Sequence, residues 1–298
     1  MEHQHDDAVN APLRITSKMR DVGGIETYRA LPDKKQRLIG PWCFLDHLGP
    51  TVFNDSIDKL AISPHPHIGL QTFTWMLEGE VLHRDSLGFQ QVIRPQQVNL
   101  MTAGLGISHS EDSHGDKKEV HLAQLWIVLP NDKRNMPPRF DHYPELPKWQ
   151  ADGADFTLLI GDYQSYNSPV LCLLPMVGMD IMAKHATGIS LSLNPKYEYG
   201  LFVLTGEMTI KGEIFTANEL AYISTQHESS LVIQLSDDTK VLFLGGEPLK
   251  ENILMWWNFI GRSKEEIQQA ITDWNAGSAR FGKVVNDERT PLVSPLMP

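Results

Sequence analysis

Cysteine is almost absent: Cys43 and Cys172 are the only two in 298 residues. That count excludes a disulfide-stapled scaffold and a cysteine-built metal site, and it fits a reducing compartment. Basic residues are also short, with 26 Lys and Arg against 37 Asp and Glu, a net charge of −11. So acidic a chain lacks the basic face that neutralises phosphates, and direct nucleic-acid contact is not expected. No run approaches the roughly 18 apolar residues of a membrane helix. The opening MEHQHDDAVN has no apolar secretion core. The expectation is a cytoplasmic protein of about two domains, each able to bury its own core.

Helical periodicity is missing as well, until residue 263. In its place stand short apolar runs, cut by Gly, Pro, Asp and Asn every ~8–12 residues, the spacing of an all-β sandwich or barrel. Gln71 to Leu77, Ala123 to Leu129, Leu201 to Leu204 and Val241 to Leu244 are examples, rich in the β-branched and aromatic side chains that suit a pleated surface. Five of the 19 prolines lie between Pro130 and Pro147, which predicts an extended connector and not a central strand. The domain boundary is placed there, giving 1–145 and 146–298. One helix is signalled near the C-terminus: Ser263 and Glu266 form a capping box, Ile267, Ala270, Ile271 and Trp274 make one apolar stripe, and Gly277 and Gly282 stop it. Leu77-Glu78-Gly79-Glu80 is echoed by Leu204-Thr205-Gly206-Glu207, a hint of internal duplication.

Histidine is what the sequence has in excess. Of 12 histidines, 10 fall within the first 142 residues, leaving only His185 and His227 beyond. Pro64-His65-Pro66-His67 is followed, 42 residues after His67, by His109-Ser110-Glu111. On a strand, residues i and i+2 share a face. His65 with His67, and His109 with Glu111, therefore converge if both strands face one interior. Three imidazoles and a carboxylate without sulfur suit Fe, Mn, Cu, Ni or Zn, and disfavour Ca or Mg. Four protein ligands on an octahedral ion leave two positions open. The competing reading is a set of hydrogen-bonded pocket histidines with no metal. His3 and His5 share the spacing but read as a tail.

Gly40-Pro41-Trp42, Asp46-His47, His65-Pro66-His67-Ile68-Gly69, Leu77-Glu78-Gly79-Glu80, His83-Arg84-Asp85-Ser86-Leu87-Gly88 and the stretch from Met101 to Glu111 together resemble the pirin family. His121 to Pro130 resembles the strand that follows, and Gly245-Gly246-Glu247-Pro248-Leu249 the start of the closing segment. The likeness runs from about Arg14 to Gly282. It implies an all-β bicupin: two face-to-face cupin (double-stranded jelly-roll) β-barrels with a short C-terminal helix. Residues 1–145 would be the metal-binding cupin and 146–298 a cupin without a metal site. It also implies His65, His67, His109 and Glu111 as metal ligands, with Fe(II) the usual ion. Gln71 and Gln96 depart from the family pattern, where Glu and Gly are common, and the region of Trp256 and Trp257 matches it poorly.

The second half has no histidine pair where one is expected, before Leu201. Asn194-Pro195-Lys196-Tyr197-Glu198 stands there, and His227 is alone. Around the first site, His83 with Asp85 could line the pocket, and His47 and His121 could hold ligand imidazoles from behind. His114 reads as an exposed loop and Trp126 as core, while Phe44, Trp42 and Met101 are candidate pocket lining.

Some pirins open the flavonol ring of quercetin with dioxygen, and the eukaryotic pirin is described as a nuclear transcription cofactor. The leading expectation is therefore a quercetinase-type dioxygenase acting on a flavonol-like aromatic, with Glu111 accepting the proton of the 3-hydroxyl. The alternatives are an iron- or redox-sensing module that docks a protein partner such as a transcription factor, and a non-redox cupin isomerase or lyase.

Overall fold

The computed structural model describes residues 11–52, 60–117, 119–225 and 228–298. The chain divides into two compact units that are not the consecutive blocks 1–145 and 146–298. One gathers the N-terminal segment through Lys18, Ala30–Trp42 and Leu146–Pro248; the other gathers Met19–Arg29, Cys43–Glu145 and Leu249–Pro298. The chain ends explain the difference. Leu13–Thr16 adds an edge strand to the second cupin by pairing with Glu219–Ile223. The last fifty residues fold onto the first cupin, because the apolar stripe of their helix finds its partner there. Ile267, Ala270 and Ile271 pack with Ile68, Phe259 and Phe281. That helix spans Lys264–Asn275, and the side chain of its N-cap Ser263 accepts from the Glu266 N–H, as the capping box predicts. Among the described residues no helix is long and apolar enough to cross a membrane.

The first cupin is a jelly roll of two antiparallel sheets. Its larger sheet runs, in spatial order, Arg139–Tyr143, Val98–Thr102, Leu70–Glu78, Glu119–Val128, Trp42–Val52, Ile25–Leu31 and Lys18–Val22. Its smaller sheet runs Ala61–His67, Ile107–Ser113, Val81–Asp85 and Gln90–Ile93. The two sheets stay open at their edges, the double-stranded jelly roll that the cupin resemblance implies. The proline-rich connector differs in part from its reading. Arg139–Tyr143 within it is a strand, confined to the sheet edge and paired only with Val98–Thr102, where flanking prolines leave the ladder intact.

The second cupin repeats this order strand for strand. Glu198–Thr205 takes the place of Leu70–Glu78, Thr239–Gly246 that of Glu119–Val128, and Met176–Ala183 that of Trp42–Val52. In its smaller sheet, Thr187–Ser192, Ser230–Leu235, Glu207–Ile210 and Glu213–Thr216 follow in the same sequence. The echo seen in the sequence marks the same corner in both. Gly79 and Gly206 sit at φ of +80° and +77°; a Cβ on Gly79 would meet the Glu119 carbonyl oxygen at 2.1 Å, and one on Gly206 would meet Thr239 Oγ1 at 2.3 Å. Only glycine fits.

Candidate metal centre

His65 and His67 end one strand of the small sheet of the first cupin, and His109 and Glu111 lie on its neighbour. The pairing sets His109 against His65 and Ile107 against His67, then slips, so that Glu111 faces Ile62. The extra residue falls at Ser63-Pro64, a bulge that a proline tolerates because it has no N–H to place in the ladder. The i, i+2 alternation turns all four side chains inward, and each is buried. The ring nitrogens of His65, His67 and His109 lie within 4.8 Å of one another. Glu111 falls in a second group, with His109 and His83, on the same limit. Its carboxylate is 3.9 Å from His109 Nδ1.

The outer contacts determine which nitrogen each ring presents. His65 Nδ1 lies 2.9 Å from the Ser63 carbonyl, and His67 Nδ1 lies 3.1 Å from the Asn258 carbonyl. A carbonyl only accepts, so each Nδ1 carries the hydrogen and each Nε2 keeps its lone pair. Behind His109 stands a side-chain chain: His83 Nε2 is 3.2 Å from Asp85 Oδ2, and His83 Nδ1 is 3.4 Å from His109 Nδ1. With His83 donating to Asp85, its Nδ1 accepts from His109, and His109 also presents Nε2 inward. Asp85 is itself fixed by the N–H groups of Leu87 and Phe89. The result brings His67 Nε2 and His109 Nε2 to 3.1 Å of each other. Two lone pairs so close repel, and a cation between them removes the repulsion.

Burial has made these groups poor bases. Desolvation, with mutual repulsion among the imidazoles and against a backbone hydrogen bond, lowers His65 to about 4. Desolvation and repulsion among the imidazoles hold His67 and His109 well below the ordinary histidine value, for His67 against the Asn258 carbonyl bond, and desolvation lowers His83 against the pull of Asp85. All are neutral at pH 7, the form that ligates metal. Glu111 moves the other way: burial, helped by the charge of Asp112, raises it to about 7.

The three histidines and Glu111 line a cavity of about 310 Å³, at the lower end of small-molecule sites. Its other walls are mainly apolar: Phe44, Leu48, Leu60, Ile62, Leu122 and Trp126. Phe44 stacks on Trp126 at 4.0 Å, and Arg29 covers Phe44 at 4.4 Å while holding Asp46 through two 2.7 Å hydrogen bonds. Trp257, Asn258 and Leu292 complete the lining from the C-terminal segment.

Of the proposed lining, Phe44 is in place. Trp42 is instead buried in the other unit, where its indole N–H donates to Gly245 O, and Met101 packs in a core cluster with Ala103, Ile107 and Phe140. Trp126, read as core, is buried and also faces the cavity. His47 and His121 face each other across 2.7 Å; the contacts behind the inward-facing imidazoles are those of Ser63, Asn258 and His83. His114 is exposed. His3, His5 and His227 lie outside the described residues. The carbonyls of Ser63 and Asn258 left no trace in the sequence, since any residue type carries one. Trp257 had one signal, the poor family match around it.

The pairing of the second cupin identifies its equivalent positions. Leu231 opposes Leu191, Ile233 opposes Ile210, and Leu193 bonds to Ser229 beyond them. Counted from Gly79 and Gly206, these correspond to His109 with His65, Glu111 with His83, and His67. The place of the missing histidine pair is therefore Leu191 and Leu193, not 194–198. Residues 194–198 form the turn after the strand Thr187–Ser192 and open the next one. All five positions are aliphatic and buried, and both candidate metal groups among the described residues lie in the first cupin.

Comparison with known proteins extends these observations. The Pirin family profile matches residues 24–127, and that of the Pirin C-terminal cupin domain matches 178–282. A Pseudomonas aeruginosa protein provisionally named quercetin 2,3-dioxygenase is 49% identical over 96% of this chain and 90% of its own. A Caulobacter vibrioides pirin-like protein is 34% identical over 94% of this chain and 98% of its own. The crystal structure of a quercetin 2,3-dioxygenase from Acinetobacter baumannii superposes with a TM-score of 0.92 at 43% identity, covering 97% of this chain and 96% of that one.

Proposed function

Because the chain belongs to the pirin family, we propose that its first cupin is a metal-dependent dioxygenase of the quercetinase type, opening a flavonol-like ring with dioxygen. The observation that carries this reading is the tautomer pattern. Three neutral imidazoles, each fixed from behind, direct Nε2 to one point on the wall of a small apolar cavity. The donor set fits a divalent transition ion held by His65, His67, His109 and Glu111, with Fe(II) first and Mn, Cu, Ni or Zn as alternatives. Such an ion supplies a Lewis acid for the substrate oxygens and the electron chemistry that dioxygen requires.

The residues do the rest. The Phe44–Trp126 stack and the aliphatic walls exclude water and favour a flat aromatic ligand. Glu111, the fourth donor of the set, groups with His109 and His83, and burial raises it to about 7, so it accepts the proton of the flavonol 3-hydroxyl as the substrate enters. The Asp85–His83 pair holds His109 in the ligating tautomer. Two experiments test the proposal. Protein loaded with Fe(II) should consume dioxygen with quercetin, and His65→Ala should abolish this; absence of uptake across a flavonol panel and the five ions contradicts it.

A further inference from the structure

The two-residue turn Trp257-Asn258 joins the short strands Leu254–Trp256 and Phe259–Gly261. Asn258 gives its carbonyl to His67 Nδ1, and Trp257 sends its side chain into the wall of the cavity. The backbone there is unsuited to the residue: Trp257 sits at φ +51°, a left-handed conformation that costs bulky side chains and that glycine adopts freely. A local preference overridden at a cavity wall points to a role for the side chain itself.

The cavity's other rings show what that role is. Phe44 is covered by Trp126 on one side and by Arg29 on the other. Trp126 has Phe44 on its face and His67 against it at 5.2 Å. Trp257 packs against the cluster of Ile68, Phe259 and Phe281, T-shaped to Phe259, yet it is only half-buried, whereas Phe44 and Trp126 are buried. Of the three, it is the ring with surface left for a ligand.

We infer that Trp257 is a specificity-determining residue of the first cupin, the indole on which a planar aromatic substrate stacks while it engages the metal centre. This deepens the flavonol reading above and rests on it. An offset-stacked pair is worth about a tenfold change in affinity.

The test measures binding without turnover. Wild type, Trp257→Gly and Trp257→Phe are loaded with Fe(II) under anaerobic conditions and titrated calorimetrically with quercetin. Acetohydroxamate, a chelator with no ring to stack, is the second probe. Trp257→Gly should keep its metal content, since glycine suits φ +51°, while the loss of the indole's packing on the Phe259 cluster lowers its melting temperature. It should lose about tenfold in quercetin affinity and nothing in acetohydroxamate affinity, and Trp257→Phe should restore most of the loss. Equal quercetin binding by Trp257→Gly and wild type overturns the inference, as does a parallel loss for both probes, which would mark a purely structural role. Should Trp257→Gly fail to fold, Trp257→Asn tolerates the same backbone and carries the test. Wild type that binds acetohydroxamate but not quercetin overturns the flavonol reading as well. Dioxygen uptake by wild type combined with unchanged binding by the variant overturns the Trp257 role alone.

Discussion

The two cupins use one strand order to build opposite interiors. Where the first presents His65, His67, His83, His109 and Glu111, the second presents Leu191, Leu193, Ile210, Leu231 and Ile233, at positions fixed by the same strand pairings. Each aliphatic side chain contributes ~1.5–3 kcal/mol by leaving water. Each buried imidazole or carboxyl instead costs free energy unless a partner satisfies it. The second interior therefore serves stability, and the first carries a buried polar cluster whose inward-facing Nε2 atoms a ligated cation would satisfy. The fold tolerates both because the small sheet fixes where side chains point, not what they are.

The comparison can be broken most forcefully by exchange. Replacing His65, His67, His109 and Glu111 together with Leu, Leu, Leu and Ile should abolish metal binding and dioxygen uptake. It should also leave the metal-free protein as stable as the parent or stabler by ~1–3 kcal/mol, read from urea midpoints. Unfolding of this variant would mean that the first cupin needs its polar interior to fold. In the reverse direction, Leu231→His puts an unpartnered imidazole into the second core and should cost ~2–4 kcal/mol without creating a metal site.

pH separates the two interiors next. Burial lowers His65 to about 4 in the fold against an ordinary 6.5, and burial with mutual repulsion holds His67 and His109 well below 6.5 too. The unfolded chain binds protons more tightly at these sites, so metal-free protein loses stability as pH falls below about 6.5, the loss continuing until the folded values are passed. Glu111, raised to about 7, opposes this. The fold holds its proton more tightly, so its contribution is full below about 4.5 and disappears as pH rises through 7. Three histidines outweigh one glutamate, and the net slope between pH 6.5 and 4 is a decline on acidification. The aliphatic exchange variant should lose most of that slope in the same urea series.

Removing the support behind a ligand is milder. Asp85→Asn frees the His83 tautomer and should weaken metal affinity ~10–100-fold, measured by competition with a chelator, while leaving the metal bound at high concentration. The smallest contrast is at the shared corner. Gly79→Ala and Gly206→Ala both force a Cβ into the facing strand at positive φ, at Glu119 and Thr239 respectively, and should destabilise alike. A difference well beyond 1 kcal/mol would show that the corners are not equivalent.

Much of this was legible in the sequence because it rests on alternation and on side-chain identity. His65, His67, His109 and Glu111 follow from two i, i+2 pairs, and the helix from Ser263, Glu266 and its stripe. What sequence could not supply was long-range pairing. The equivalence of Leu191 and Leu193 with the histidine pair depends on registers between distant strands, and the grouping of residues 249–298 with the first cupin depends on where a stripe finds its partner. The contacts that fix the tautomers were hidden for another reason: Ser63 and Asn258 act through carbonyls that every residue has.

The central claim is that one cupin holds a metal and its structural twin cannot. Anomalous scattering from crystals of protein loaded with Fe(II) tests it directly. The account predicts one peak per chain, within bonding distance of the Nε2 atoms of His65, His67 and His109, and none among Leu191, Leu193, Leu231 and Ile233. Three vacant Nε2 atoms in fully loaded protein, or a peak inside the second cupin, would contradict it.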